Sequence, residues 1–507
     1  MLTARGDGVE VVLTTDETLL AEYRNIPLGQ FFSCVPSDMF LSRMVHTILM
    51  PPSHAGIPVL EYAPMGLRRF ESALARDIGK GNVVVVSPKN IRKFIGRRTR
   101  VVGIHTMDPL GVGPVSLMFT VGGRYTAFTK RMFTRILKKL PKDRGFKVAV
   151  GGCGTWQLEQ FPEEIDNLGI DHVVSGECDH IAGRIIEKIE NGSEKIIQIR
   201  EPAPLESICP NTGATMLGLV EVMRGCGRGC RFCQPNLRKA RFIPFDVIKK
   251  DILLNVKMGY TKVWAHSDDI FLYKVDSRDL TPNKDAIKEL FSFIMGIDGV
   301  THANPTHGSL AGVASAPDLI EDLSRILKAG KNRHIGIQPG LETGSPTLMK
   351  KIMPRKALPY QPEEWPQVVI EAVKTLNKNH WFPGLTLIIG LPEETPDDIR
   401  ETIELIKKME DAGLHFIVAP LAFVPLAAWR EKGFLDFAKQ FDESRFNLVY
   451  KCWKHTIQEI DSMFNRVVKI SGVSSFMIDI LARHGSRYVL KEVEKWGARQ
   501  GFRVWAG

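Results

Sequence analysis

Apolar residues along this 507-residue chain fall into two series of short runs separated by helical patterns. In the first series, from about residue 45 to 200, β-rich runs occur at His46–Met50, Val83–Ser87, Val101–Thr106, Lys147–Gly151 and His172–Ser175. Segments with apolar spacings of three and four lie between several of them, for example Leu67–Ile78 and Thr129–Leu140. Strands separated by helices predict a parallel, doubly wound sheet. Several runs end in small or turn-forming residues, Pro51-Pro52, Gly151-Gly152 and Gly176. The rim past the carboxyl ends of such strands is where ligands sit.

A Pro-containing stretch, Glu201 to Pro210, reads as a linker. The second series follows: Leu217–Met223, Lys262–His266, Val300–Ala303, His334–Gln338, Leu385–Gly390 and Phe416–Ala419. Helical patterns between these runs include Phe245–Met258, Lys284–Met295, Asp318–Ala329, Trp365–Asn377 and Asp397–Ala412. Six βα units without a clear seventh predict a partial barrel rather than a closed eight-fold one. The remainder is charged and helical in pattern, with Trp453, Trp496 and Trp505 available as packing anchors. The chain therefore reads as α/β. Residues 1–44 form an N-terminal extension, 45–200 a Rossmann-like domain and 201–214 a linker. Residues 215–427 form a partial (β/α)6 barrel and 428–507 a small, mainly helical domain.

Composition removes several classes. A 44% apolar and 24% charged chain is ordinary for a globular protein and wrong for a disordered one. The longest uncharged apolar stretch, Phe416 to Trp429, is broken by Pro420 and Pro425 and falls short of the roughly 20 residues a membrane span needs. Acidic residues through the first twenty positions argue against a signal peptide, so a cytoplasmic location is expected. Eight cysteines in such a chain point to metal or redox chemistry rather than a disulfide framework.

Their spacing is informative. Cys226-Gly-Arg-Gly-Cys230-Arg-Phe-Cys233 follows the first strand of the second series. Three thiolates at spacings of four and three can ligate three irons of a [4Fe–4S] cluster and leave one iron open. Glycines at 225, 227 and 229 let such a loop wrap a compact cofactor. Zinc would want a fourth protein ligand, and no Cys or His pair lies nearby to supply it. Cys34, Cys153, Cys178, Cys209 and Cys452 make no cluster spacing, so one cluster is expected.

With Phe232 before the third cysteine, the triplet resembles the CxxxCxxC signature of the radical S-adenosylmethionine (SAM) superfamily. In that family the open iron is chelated by SAM, and an electron from the cluster, fed by an external donor, cleaves the sulfonium to methionine and a 5′-deoxyadenosyl radical. The resemblance covers about residues 215 to 425. His266-Ser-Asp268-Asp269 closes the second strand, where the family binds the methionine amino group. Gly340-Leu-Glu342-Thr-Gly344-Ser345 resembles a segment near the ribose. Leu387-Ile-Ile389-Gly390-Leu-Pro392-Glu-Glu394-Thr395 resembles the fifth-strand segment flanking adenine. Taken singly, an Asp pair after a strand is commonly a helix cap and a Gly-rich turn is commonly just a turn.

In the first series, Tyr62-Ala-Pro64-Met-Gly66-Leu67 resembles the opening of the cobalamin-binding domain of one large radical SAM class. Gly151-Gly152-Cys153-Gly and Val173-Val-Ser-Gly176-Glu177 resemble that class's later loops, where small residues would admit a flat corrin ring. The alternative is that these glycines simply close tight turns. The DxHxxG motif that supplies histidine to cobalt in many cobalamin proteins is absent. His105 and Thr106 stand on the same rim without that context, and His105 reads as a polar rim or core residue rather than an axial ligand.

The resemblance implies a cobalamin-dependent radical SAM C-methyltransferase using a [4Fe–4S] cluster, SAM and methylcobalamin. The layout also resembles methanogen enzymes that methylate methyl-coenzyme M reductase, in particular at a glutamine Cα, so a protein substrate is expected. Rival readings are a radical SAM enzyme modifying archaeal membrane lipids and a non-enzymatic cobalamin-binding sensor, which would need no reducible cluster. A methylthiotransferase is not expected, because the N-terminal half lacks the extra cysteines for a second cluster.

Charge bears on the partner. Of the formal +10, residues 89 to 147 alone contribute +13, from fifteen Lys or Arg against Asp108 and Asp143. The remaining chain carries −3. This segment is either a solvated face or a dock for an acidic protein, a lipid headgroup or a nucleic acid. Sparse aromatic interleaving makes nucleic acid the weakest of these.

Overall fold

A computed structural model describes residues 7–23, 29–39, 42–43, 46, 57–192, 194–234, 238–467 and 486–505. Its first sheet contains β1 (Val11–Thr15), β2 (Val83–Val85), β3 (Val101–His105), β4 (Lys147–Gly151), β5 (His172–Ser175) and β6 (Ile196–Gln198). They lie in the order β2-β1-β3-β4-β5-β6, every pairing parallel. Val11–Thr15 and Val83–Val85 are buried throughout, as strands covered on both faces must be. Leu67 and Leu74 of α1 (Met65–Ile78) and Ile185 and Ile189 of α3 (Ala182–Asn191) pack one face. Phe133 and Ile136 of α2 (Phe128–Lys139) pack the other.

Two expectations need correction here. The segment 1–44 is not merely an extension, because it supplies β1, which pairs with both β2 and β3. The run is buried on both faces and shows no alternation of apolar and polar positions. The expected strand His46–Met50 and the turn Pro51-Pro52 lie outside the described residues beyond His46. The strand order reverses between β1 and β3, and the crevice past the carboxyl ends at such a switch point is a natural ligand site.

The expected linker is also not free. The Arg69 guanidinium donates to the Cys209 carbonyl at 2.7 Å, and Arg76 to that of Ser207 at 3.0 Å. Ala214–Thr215 then pairs in parallel with Tyr62–Ala63.

Beyond it run β7 (Leu219–Glu221), β8 (Lys262–His266), β9 (His302–Pro305), β10 (Ile335–Ile337), β11 (Gly340–Glu342), β12 (Trp381–Ile389) and β13 (Ile417–Ala422). β7, β8 and β9 pair in parallel. β10 and β11 are two halves of one interrupted strand along β12, whose other edge takes β13. A parallel bridge from His307 to Gln338 links the groups. The result is six parallel strand positions in chain order. The intervening helices include α4 (Phe245–Lys257), α5 (Pro346–Ile352) and α6 (Pro396–Asp411).

The barrel core, with Trp365, Trp381, Phe271 and Phe291 fully buried, continues into the first domain through Leu117, Met118 and Trp156. The C-terminal α7 (Glu443–Val467) is pinned to the sixth position by His455, whose Nε2 meets the Phe416 carbonyl at 2.9 Å. Trp496 of α8 (Ser486–Arg499) stands edge-on to Phe441, Trp505 donates to Glu443, and the Trp453 ring lies 6.1 Å from that of Phe119. No helix among the described residues is long and apolar enough to cross a membrane.

Candidate cluster site and the facing sheet rim

Past β7, the extended pair Met223–Arg224 runs antiparallel to Arg241–Phe242 and closes a loop that carries Cys226, Cys230 and Cys233. Gly225, Gly227 and Gly229 all take positive φ, +81°, +84° and +79°. A Cβ on Gly225 would lie 2.7 Å from the Arg238 carbonyl oxygen, so that glycine serves the loop itself. At Gly227 and Gly229 a Cβ would meet nothing within 4 Å among the described residues, which leaves room beside the thiols. Burial pushes the Cys226 and Cys233 thiols up to about 12, so they stay protonated unless a cation binds them. Among the described residues no three His, Cys, Asp or Glu side chains converge as a single ion requires. Thiolates that each bind a different iron have no such need, so the loop fits a cluster with one iron left open. Phe232 packs against the barrel core.

Neighbouring side chains hold this loop. Arg228, between two of the cysteines, is buried. Its Nε donates to Asp269 at 2.8 Å and its Nη2 to Ser309 Oγ at 2.7 Å. Its Nη1 reaches the carbonyls of Arg355, Lys356 and Leu358 at 3.2 to 3.4 Å. Asp269 also accepts from the amides of Phe271 and Ser309. The fold therefore turns Asp269 inward as a support for the loop, rather than toward a ligand as its place in the motif suggested. Asp268 accepts from the Gly225 amide at 2.7 Å, and burial raises its pKa.

At the end of β11, Glu342 takes φ +62°, strained for a residue with a side chain, and pairs with buried Lys356 at 3.0 Å. Lys356 in turn lies within electrostatic reach of Cys230 and Cys233. Ser345 caps α5 and donates to Asp398. Ile389 ends β12 and accepts from the Phe423 amide at 2.9 Å. The Gly390 amide donates to Glu394 at 2.9 Å, with Pro392 half-buried beyond it. Burial pushes Glu394 up to about 7 against the pull of Arg445, 3.0 Å away.

The rim of the first sheet is the other half of the picture. Pro64 is the N-cap of α1, and a Cβ on Gly66 would lie 3.4 Å from the His105 ring. Burial lowers His105 to about 4, so its imidazole is neutral. Thr106, next in the chain, buries its Oγ1 without a hydrogen-bond partner among the described residues. A hydroxyl left bare at a switch-point crevice fits an inserted polar ligand.

The glycines divide. Gly151 has only ordinary contact, but a Cβ on Gly152 (φ +107°) would lie 2.5 Å from the Thr106 carbonyl oxygen. A Cβ on Gly176 (φ +111°) would strike the Ile199 carbonyl. Those two glycines make room for the protein's own backbone, not for a flat ring. Glu177 departs from expectation as well: it reaches the barrel side, pairing with Arg241 at 2.6 Å and Arg224 at 3.1 Å. Across the cleft, Cys153 lies within electrostatic reach of Arg238, which belongs to the cysteine loop. Spacing could not reveal Arg224, Arg228 or Lys356. The one local signal was an arginine set between two cysteines of a glycine-rich loop.

Residues 220–406, which hold the loop and β8 through β12, match the model of the Radical SAM superfamily. The fold is similar to that of the radical S-adenosylmethionine methyltransferase TsrM from Kitasatospora setae, solved with cobalamin and a [4Fe–4S] cluster bound. That likeness has a TM-score of 0.52 at 14% identity and covers 83% of this chain and 74% of TsrM. The cobalamin-dependent S-adenosylmethionine radical enzyme OxsB, solved with aqua-cobalamin bound, gives 0.54 at 11% identity over 95% of this chain and 72% of its own. At such identities the likeness is one of fold.

Among curated proteins, the tRNA-2-methylthio-N(6)-dimethylallyladenosine synthase of Fusobacterium nucleatum subsp. nucleatum is 26% identical over 287 residues. That match covers 54% of this chain and 60% of the relative, so less than two thirds of the relative is represented. Its counterpart in Carboxydothermus hydrogenoformans is 24% identical over 62% of this chain and 69% of its own length.

Proposed function

We propose that this chain is a cobalamin-dependent radical SAM methyltransferase that methylates an unactivated carbon. The observation that carries the reading is the cysteine loop, with three buried or half-buried thiols, two open glycine faces and a radical SAM match around it. Cys226, Cys230 and Cys233 would hold the cluster. The strand ends bearing Asp268, Glu342, Ser345, Ile389, Gly390 and Pro392 would border SAM, and the crevice at Gly66, His105, Thr106 and Gly151 the corrin. Bound there, these groups would supply one-electron chemistry and a transferable methyl.

The chain's own part is electrostatic and steric. Arg228 and Lys356 place two buried cations beside Cys226 and Cys233 and favour their thiolates against the cost of burial. The continuous apolar core behind the loop keeps water from the reacting centre. The substrate we propose is a protein glutamine of methyl-coenzyme M reductase, methylated at Cα, on the likeness of overall layout.

The test is anaerobic reconstitution with iron, sulfide, cobalamin, SAM and reductant, in the presence of a peptide spanning that glutamine. Both 5′-deoxyadenosine and S-adenosylhomocysteine are expected, with a methylated peptide. 5′-Deoxyadenosine and a modified peptide without S-adenosylhomocysteine would overturn methyl transfer.

The curated relatives favour a second reading, methylthio transfer to a tRNA. It asks for a second cluster in the first domain. There Cys34 hydrogen-bonds Ser116 within electrostatic reach of Asp108, Cys153 lies within reach of Arg238, and Cys178 within reach of Glu177 and Asp179. Iron content separates the readings: about four irons per chain for one cluster, about eight for two.

A further inference from the structure

Two arginines bracket the cysteine loop and face opposite ways. Arg228 grips the barrel, whereas Arg224, two residues before Cys226, grips the first domain. The Arg224 guanidinium donates to both oxygens of Asp179, at 2.9 and 3.1 Å, and to Glu177 at 3.1 Å. Its Nε and Nη2 meet Glu221 at 2.6 and 3.0 Å. Glu177 and Asp179 stand on the turn after β5, at the rim of the first sheet, and Glu221 ends β7. All four side chains are at least nine-tenths buried. The network widens on both sides. Arg241, facing Arg224 across the two-residue ladder, holds Glu177 and the Ala203 carbonyl, both at 2.6 Å. Arg69 of α1 lies 3.3 Å from Glu221 and 2.7 Å from Asp251.

Joining the domains does not require this network, because one apolar core already runs through both. Buried ion pairs also add little net stability over apolar packing of the same volume. What they add is direction: a planar guanidinium forked onto a carboxylate tolerates little displacement. Here the fork ties the residue that opens the cysteine loop to the sheet edge that faces the loop.

We propose that Arg224 is a positioning residue whose fork onto Asp179 and Glu177 sets the height of the cysteine loop above the rim of the first sheet. Under the function proposed above, it thereby also sets the separation between the cluster and a ligand bound at that rim. The first statement concerns the loop alone and stands without that reading.

The test uses the full chain carrying Asp179→Asn, Arg224→Lys or Arg224→Met. Asp179 belongs to the other domain and is isosteric with its replacement. On cofactor-free protein, hydrogen exchange is followed at the amides of residues 225–233. Exchange at least tenfold faster than wild type is expected in all three variants, while β12 and the first sheet keep their protection. On reconstituted protein, iron content should be unchanged and the electron paramagnetic resonance spectrum of the reduced cluster with SAM should shift.

Three outcomes would overturn the proposal. One is loop exchange unchanged in Asp179→Asn. Another is exchange rising equally throughout both domains, the sign of a merely structural role. The third is full recovery by Arg224→Lys relative to Arg224→Met, since lysine keeps the charge and loses the fork. If wild type takes up no cluster, the functional reading fails, and the exchange data still decide the positioning role.

Discussion

The pair formed by Arg228 and Asp269 offers the sharpest energetic test of how the loop is held. Each side chain is at most 5% exposed, and Nε to Oδ2 is 2.8 Å. Arg228→Met removes the cation and leaves Asp269 with two amide donors, Phe271 and Ser309. Asp269→Asn leaves a buried guanidinium with, among the described residues, the Ser309 hydroxyl and three carbonyls. Breaking a buried pair from one side costs about 3–5 kcal/mol because the other charge stays buried without its partner. Removing both charges avoids that residue, so the double variant should cost no more than either single. The coupling energy should then reach at least about 2 kcal/mol. If the barrel unfolds as a unit, a 4 kcal/mol loss lowers Tm by about 8–16 °C. Urea unfolding followed by fluorescence of buried Trp365 and Trp381 measures all three variants. Single losses under about 1 kcal/mol, or a double variant equal to the sum of the singles, would refute the reasoning.

Cys230→Ala should lose cluster iron and all 5′-deoxyadenosine formation, and a variant that still makes it would remove the cluster assignment. The Glu394 carboxyl has its folded pKa raised by burial from 4.5 to about 7, so the fold favours its protonated form. The stability it lends is whole below about 4.5 and is lost as pH rises through about 7. Thermal melts should therefore show wild type falling behind Glu394→Gln between pH 5 and 8, by up to about 3 kcal/mol, and parallel pH curves would refute it. Gly176→Ala forces φ +111° on a residue whose Cβ meets the Ile199 carbonyl, and should cost at least about 2 kcal/mol in urea. Gly151→Ala, with no contact closer than 3.8 Å, should cost under about 1 kcal/mol. Equal losses would mean the two turns are not distinguished as described.

Strand positions were legible, but bounds only in part: Val83–Ser87 and Val101–Thr106 end sooner than expected, at Val85 and His105. Lys147–Gly151, His172–Ser175 and Lys262–His266 have the bounds that their sequence predicts. β1 was missed in the sequence, although Val83–Val85, equally buried on both faces, was not. The fourth barrel position reads in sequence as one strand followed by a motif. Pro339, which has no N–H for the ladder, separates β10 from β11. Part of the basic segment is balanced within the fold itself. Arg100 pairs with Glu10 and Glu190, and Arg144 with Asp171, which neutralises part of the charge. Arg131 and Arg135 of α2 instead line a cavity of about 310 Å³ with Arg43, Phe128 and Met132.

The site itself was legible only where its chemistry is local. Three cysteines within eight residues declare themselves, whereas the partners of Arg228 lie 41, 81 and 127 to 130 positions away. No spacing rule reaches that far, since those partners are chosen by which strand ends the barrel brings together. The glycines make the same point more strictly. In sequence, Gly152, Gly176, Gly225, Gly227 and Gly229 are all small residues in candidate loops. In the fold, a side chain on Gly152, Gly176 or Gly225 would strike the chain's own carbonyls, while one on Gly227 or Gly229 would meet open space. Only the second kind marks room for a ligand, and both of its members lie between the cysteines.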